Sequence, residues 1–93
     1  MEDIVMVSKE LKITNSQGFH MRPASVLAAA MGKYSADVKI VVNDMEVNAK
    51  SVMNLIAACI KFGADIKIVC EGEDEEDAMK EAVSLIESGF GEE

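Results

Sequence analysis

The sequence predicts an α+β open-faced sandwich, in which a four-stranded antiparallel sheet packs three helices against one of its faces. The 93 residues, 49% of them hydrophobic, suffice for one core, so residues 1–93 are predicted to form a single domain. Segments with strand-like alternation and segments with helical periodicity follow one another in the order strand, helix, strand, strand, helix, strand, helix. With so few elements, the economical packing places every helix on the same face of one sheet.

The first part of the chain predicts a strand, a turn and a helix. Residues 7–14 mix branched and charged side chains as a strand with one exposed face does, and the polar residues 15–18 supply a turn. From Pro23 onward apolar residues recur at helical spacing, and a proline is tolerated in the first helical turn because that turn has no internal partner for its missing donor. The helix is predicted to end near Gly32.

A hairpin and a second helix are predicted next. Residues 38–48 read as two strands around an Asn-Asp pair at 43–44, a pair that accepts the positive φ of a tight turn. Ser51 is a candidate cap for the apolar run 52–60, and Gly63 offers a left-handed stop. The run is also compatible with a buried strand, but its length favours a helix.

The last part of the chain predicts a strand and a third helix. Apolar and polar residues alternate over residues 66–71, and the strand ends at Gly72. Asp74 is then the predicted helix cap, and the acidic residues 75–77 suit the positive end of a helix. An apolar stripe continues until Gly89.

The composition excludes several classes of function. A net charge of -8 argues against nucleic-acid binding, which depends on Lys and Arg, and makes proteins with basic surfaces better partners. The chain has no apolar run of the roughly 20 residues that span a bilayer and no leader-like start, so we expect a cytoplasmic protein without membrane insertion. Cys59 and Cys70 lie in apolar surroundings without metal-ligand spacing, and we expect two reduced, packed thiols and no metal.

The only histidine, His20, stands where a loop becomes a helix. The start of a helix presents unpaired N–H groups and a partial positive charge, so a phosphoryl group on His20 would find donors there, and Arg22 adds a bidentate cation. A neutral imidazole also has a nitrogen lone pair that acts as a nucleophile near neutral pH. The alternative is that His20 only caps the helix.

The string Gly18-Phe19-His20-Met21-Arg22-Pro23-Ala24 resembles the G-[hydrophobic]-H-x-R-P-A signature of HPr, the histidine-containing phosphocarrier family of the bacterial phosphoenolpyruvate:sugar phosphotransferase system. The similarity extends over residues 7–86. It implies the open-faced sandwich and phosphoryl transfer from enzyme I to His20, on Nδ1, and onward to sugar-specific enzyme II A components. It implies a carrier without independent turnover, and we expect no cofactor.

The string Lys50-Ser51-Val52-Met53 resembles the regulatory serine segment of the same family. This resemblance implies phosphorylation of Ser51 by an HPr kinase/phosphorylase and an interaction with a catabolite-control transcription factor. Asn54 and Cys59 depart from the family, which usually has glycine at both positions, and they border the partner surface.

The family's need to dock against unrelated proteins also predicts a partner surface. We expect an exposed apolar patch around His20, because flexible methionines adapt to several partners. The predicted partner-binding residues are Phe19, Met21, Lys50, Met53 and Leu55.

Two other classes of function compete with the carrier. One is a regulatory HPr-like binding module that signals through Ser51; family members of that kind typically lack the active histidine, which this chain has. The other is an independent enzyme, which the sequence disfavours because no second general acid or base, glycine-rich nucleotide loop or metal motif accompanies His20.

Overall fold

The computed structural model describes residues 7–14 and 18–91. Its elements follow the predicted order and end in a short 3-10 turn. They are β1 (Val7–Lys12), α1 (Met21–Met31), β2 (Asp37–Val42), β3 (Met45–Asn48), α2 (Val52–Ala57), β4 (Asp65–Glu71), α3 (Glu75–Glu87) and the 3-10 turn η1 (Gly89–Gly91).

The four strands form one antiparallel sheet in the order β1-β4-β2-β3. The two central strands bury every second residue, as a sheet covered on one side does: Val38, Ile40 and Val42 on β2, and Ile66, Ile68 and Cys70 on β4. The buried side chains pack against the buried stripes of the three helices in one core. The predicted open-faced sandwich is confirmed.

The connection between β2 and β3 is the tight turn that the sequence predicts. Asn43 and Asp44 have φ values of 51° and 66°, as a two-residue hairpin turn of matching twist requires. The turn predicted at residues 15–18 lies mostly outside the described residues, of which Gly18 is the first after the gap.

The end of α2 differs from the prediction. The helix ends at Ala57 rather than near Ile60, because Cys59 turns to φ 56° and the Ile60 carbonyl accepts a hydrogen bond from the Phe19 N–H, at 2.9 Å, outside the helix. Gly63, at φ 84°, therefore does not stop the helix but shapes the following turn. Cys59 takes its left-handed conformation at a position where the resembling family usually has glycine.

The start of α3 also corrects a prediction. Asp74 occupies the cap position but makes no side-chain capping bond to the first turn. Its carboxylate accepts the N–H groups of Ser35 at 2.9 Å and Ala36 at 2.8 Å, and these bonds, that of Ser35 first, lower its pKa. Asp74 thus links α3 to the segment before β2 across the structure. At the start of α3 the local bond is made by Glu75 instead, whose carboxylate accepts the Gly72 N–H at 3.1 Å.

The segment that follows α1 is fixed from two sides. The Tyr34 hydroxyl donates to Glu81 of α3 at 2.6 Å, which raises the pKa of Tyr34 to about 12 and lowers that of Glu81. The Lys50 ammonium, ahead of α2, donates to the Tyr34 carbonyl at 2.8 Å. The end of α1 is therefore tied to both other helices.

The two cysteines are free thiols in different surroundings. Cys70 is buried, as predicted, and burial raises the pKa of its thiol to about 11. Cys59 is exposed, so the prediction of a packed thiol is wrong at this position; it stands at the left-handed corner just outside α2. No helix in the described part of the chain is long and apolar enough to span a membrane.

Candidate functional site

His20 is the N-cap residue of α1. Its backbone is extended, with φ -88° and ψ -166°, and its carbonyl accepts the first helical hydrogen bond from the Ala24 N–H at 3.0 Å. The imidazole makes no capping bond to the first turn, so His20 occupies the cap position through its backbone. The half-buried ring stands beside a helix end whose N–H groups favour an anion.

The loop before His20 is held by close backbone packing. Gly18 has φ 66°, and a Cβ built on it would lie 2.5 Å from the Ile60 oxygen and 2.8 Å from the Lys61 Cα. The next residue, Phe19, donates its N–H to the same Ile60 oxygen at 2.9 Å. The loop that precedes His20 is thus bound to the segment after α2, and the residues that follow His20 form α1.

Two residues predicted for the docking patch are in the core. Phe19 is only 4% exposed, and its ring packs edge-on against Phe90 with centroids 5.4 Å apart. Leu55 is fully buried on the inner side of α2. Their apolar side chains pack into the core and hold the loop and the helix in place, so the prediction that both are exposed is wrong.

Met21 and Met53 are exposed as predicted, at 64% and 77%. A third large apolar side chain, Phe62 at 65%, was missed by the sequence analysis. Phe62 lies in the turn that the Ala64 N–H closes onto the Lys61 carbonyl at 3.0 Å. No local pattern distinguishes it, since Phe90 also precedes a glycine in a turn and yet packs against Phe19.

Arg22 is exposed in the first turn of α1, two residues after His20. Within the described residues its guanidinium is in no recorded ion pair or hydrogen bond, so it remains available to an anion. His20, Arg22 and Met21 therefore share one helix end, which combines a nucleophilic ring, a cation and an apolar surface.

Ser51 and Lys50 lie at the other end of the α1–α2 pair. The Ser51 hydroxyl caps α2 by accepting the Asn54 N–H at 3.2 Å, and the Lys50 ammonium is engaged by the Tyr34 carbonyl beyond the end of α1. Because the segment after α2 contacts the start of α1, the two helices run antiparallel. Ser51 therefore stands at the end of α2 that lies away from the start of α1, and the Lys50 ammonium is held in a bond to the segment that follows α1.

The described residues contain no group of His, Cys, Asp and Glu side chains able to hold a metal ion. Two surface depressions formed by the described residues lie away from His20. One of about 390 Å³ lies beside the β2–β3 hairpin and another of about 490 Å³ lies on the open sheet face.

Comparisons with known proteins point to one family. The family model described as PTS HPr component phosphorylation site matches residues 7–88. The phosphocarrier protein HPr of Treponema pallidum is 33% identical over 88 residues, which cover 95% of this chain and all of that protein. That of Borreliella burgdorferi is 39% identical over 83 residues, 89% of this chain and 96% of that protein.

Solved structures agree with the sequence matches. The crystal structure of HPr from Thermoanaerobacter tengcongensis superposes with a TM-score of 0.90 at 38% identity, covering 94% of this chain and 98% of that one. The Mycoplasma histidine-containing phosphocarrier protein gives 0.84 at 36% identity, covering 89% and 96%. With the same fold and a family model that spans the His20 loop and all three α-helices, the chain belongs to the HPr family of phosphocarriers, which serve sugar transport in the phosphotransferase system.

Proposed function

We propose that this chain is a cytoplasmic carrier that accepts a phosphoryl group on His20 from phosphorylated enzyme I and passes it to enzyme II A components. The observation that carries the proposal is the position of His20 at the start of α1, with Arg22 exposed in the first turn. A dianionic phosphoryl group on the ring would be stabilised by the positive helix end and by the guanidinium. The match of the family model over this loop supports the same residue.

The transfer needs one bond formed and one broken in each direction. The lone pair of a His20 ring nitrogen, Nδ1 by the family resemblance, forms the N–P bond, while the N–P bond on the donor histidine breaks and its electron pair returns to the donor ring. Onward transfer reverses these roles toward the enzyme II A component. Arg22 stabilises the charge that the moving group carries between the two rings. No independent turnover follows, since His20 must be recharged by the donor after each transfer.

The experiment is incubation with phosphoenolpyruvate and enzyme I, followed by intact-mass measurement before and after acid treatment. We expect one added phosphoryl group that acid removes, because phosphohistidine is acid-labile and phosphoserine is not. His20→Ala should remain unlabelled while keeping its fold, and Arg22→Ala should be labelled more slowly with unchanged unfolding. Full, acid-labile labelling of His20→Ala would overturn the assignment of His20.

We also propose that Ser51 is a regulatory phosphorylation site for an HPr kinase/phosphorylase, and that the modified chain binds a catabolite-control transcription factor. Ser51 is half-buried at the start of α2, two residues before the exposed Met53. Since Ser51 caps a different helix from His20, we expect a phosphate there to act on docking rather than on the histidine itself. Ser51→Asp should therefore raise the enzyme I concentration needed for half-maximal labelling and leave the saturated rate unchanged, with Ser51→Ala as control. A lower saturated rate would contradict the proposal that a charge at Ser51 affects docking and not the reaction of His20.

A second candidate function is a regulatory module that keeps the fold without carrying flux. It is favoured by one relative, the HPr-like protein Crh of Halalkalibacterium halodurans, which is 32% identical over 82 residues. The deciding measurement is onward transfer from labelled His20 to an enzyme II A protein. Loss of label to that acceptor supports the carrier, and retention of the label supports the regulator.

A further inference from the structure

The aromatic pair formed by Phe19 and Phe90 joins the last described turn of the chain to the loop that carries His20. The two rings meet edge to face, with their centroids 5.4 Å apart and their planes at 78°. Phe19 is only 4% exposed, and Phe90 is partly buried against the same core. Such a pair attracts beyond the burial of its apolar surface, because the positive edge of one ring faces the negative face of the other. Phe90 therefore contacts the residue directly before His20.

Phe19 is the central residue of a short backbone turn. The His20 N–H donates to the Gly18 carbonyl at 3.1 Å, and the Phe19 N–H donates to the Ile60 carbonyl at 2.9 Å. A bond from residue i+2 back to residue i closes a turn whose shape depends on the dihedral angles of the one residue between them. The direction in which the chain enters α1, and with it the place of the His20 ring, therefore depends on how Phe19 is held.

Phe90 is held in a strained backbone conformation. It stands in η1 at φ 57° and ψ 24°, directly after Gly89 at φ 67°. A residue with a Cβ is strained in this left-handed region, and such a conformation persists only where the surrounding structure holds it. The contact that holds Phe90 is the packing of its ring against Phe19 and the core. The turn after α3 thus directs an aromatic ring at the loop before His20.

We propose that Phe90 is a positioning residue for phosphoryl transfer: by fixing Phe19, it holds the turn from which His20 presents its ring at the start of α1. This inference rests on the proposed function of His20. The ring nitrogen must meet the phosphorus in line with the bond that breaks, and a displacement of about 1 Å can lower the rate of such a reaction about a hundredfold. Because Phe90 acts through Phe19 and not on enzyme I, it affects the rate of transfer rather than the affinity for the donor.

The test measures enzyme I-dependent labelling of the full chain over a range of enzyme I concentrations. Phe90→Ala should lower the saturated rate about tenfold and change the half-saturating enzyme I concentration less than about twofold. Phe90→Tyr keeps the ring and should retain the wild-type rate. Phe90→Leu keeps apolar volume but not the ring edge, so its saturated rate should fall about threefold. The leucine variant takes the place of Phe90→Ala if the alanine variant does not fold.

Met79→Ala is the matched control. Met79 lies in the first half of α3 and is likewise a partly buried apolar side chain packed against the core. Its removal should lower the midpoint of urea unfolding and leave the saturated rate unchanged. A second measurement is the NMR spectrum of the imidazole of His20, the only histidine in the chain. Phe90→Ala should shift or broaden these ring resonances, and Met79→Ala should not.

The outcomes separate the role of Phe90 from the role of His20. An unchanged saturated rate in the folded Phe90→Ala or Phe90→Leu variant, or an equal fall in Met79→Ala, overturns the inference. Acid-labile labelling of His20 in the wild type would then still uphold the carrier function. Absence of any labelling of the wild type overturns the proposed function and the inference with it.

Discussion

The loop before His20 makes a sharp prediction for Gly18→Ala. Gly18 has φ 66°, and the added Cβ would lie 2.5 Å from the Ile60 oxygen and 2.8 Å from the Lys61 Cα. Both are backbone atoms, so no side chain can rotate away. The Ile60 oxygen also accepts the Phe19 N–H at 2.9 Å, and it must move for the methyl group to fit.

Three effects then lower the free energy of unfolding of the variant. The left-handed conformation of a residue with a Cβ costs about 1–2 kcal/mol, and forcing a methyl group into a packed site costs about 1–3 kcal/mol. Weakening the Phe19 to Ile60 hydrogen bond adds about 1 kcal/mol. We expect Gly18→Ala to lower stability by about 3–6 kcal/mol. Enzyme I-dependent labelling should also fall under conditions in which the variant is still folded, because the loop that positions His20 has moved.

Alanine substitutions at two other glycines separate these costs when the free energy of unfolding is measured in urea. Gly63 has φ 84° but nothing within 4 Å of an added Cβ, so Gly63→Ala has only the conformational cost of about 1 kcal/mol. Gly32 has φ -63°, and its Cβ would lie 3.3 Å from the Ala28 oxygen; Gly32→Ala should stay within about 0.5 kcal/mol of wild type. If Gly18→Ala costs no more than Gly63→Ala, the contact with residues 60 and 61 does not hold the loop, and the reasoning is refuted.

Three further predictions concern the core, acid stability and capping. Leu55→Ala should lower stability by about 2–5 kcal/mol in urea unfolding, and a loss under about 1 kcal/mol would contradict its burial. The N–H groups of Ser35 and Ala36 lower the pKa of Asp74. The stability that the ionised Asp74 carboxylate gives the folded protein is therefore present above the ordinary carboxyl pKa and is lost as pH falls through the lowered value. Asp74→Asn should accordingly be less stable at neutral pH and lose less stability on acidification, and parallel pH profiles would disprove this. Ser51→Ala should lower stability by about 1 kcal/mol and leave acid-labile labelling of His20 intact. An unchanged midpoint of urea unfolding would show that the Ser51 hydroxyl does not stabilise α2 as a cap.

The order of the elements, the hairpin turn and the position of His20 could be predicted from the sequence because each depends on neighbours in the chain. An Asn-Asp pair accepts positive φ wherever it stands, and this one does so at 43–44. Pro23 requires a first-turn position, so a helix had to begin within a few residues of His20. Alternation of apolar residues similarly defines the strands. In each case the deciding interactions span fewer than about five residues.

The exposure of the large apolar side chains and the loop contacts were decided by tertiary structure alone. Phe19 is buried because Phe90, far away in the sequence, covers its ring, and Asp74 binds the N–H groups of residues 35 and 36 instead of capping its own helix. Phe62 stays exposed because its turn is tied to β1. Burial stabilises any apolar side chain, but which side chains become buried depends on the elements that the fold brings together. No local pattern in the sequence contains that information.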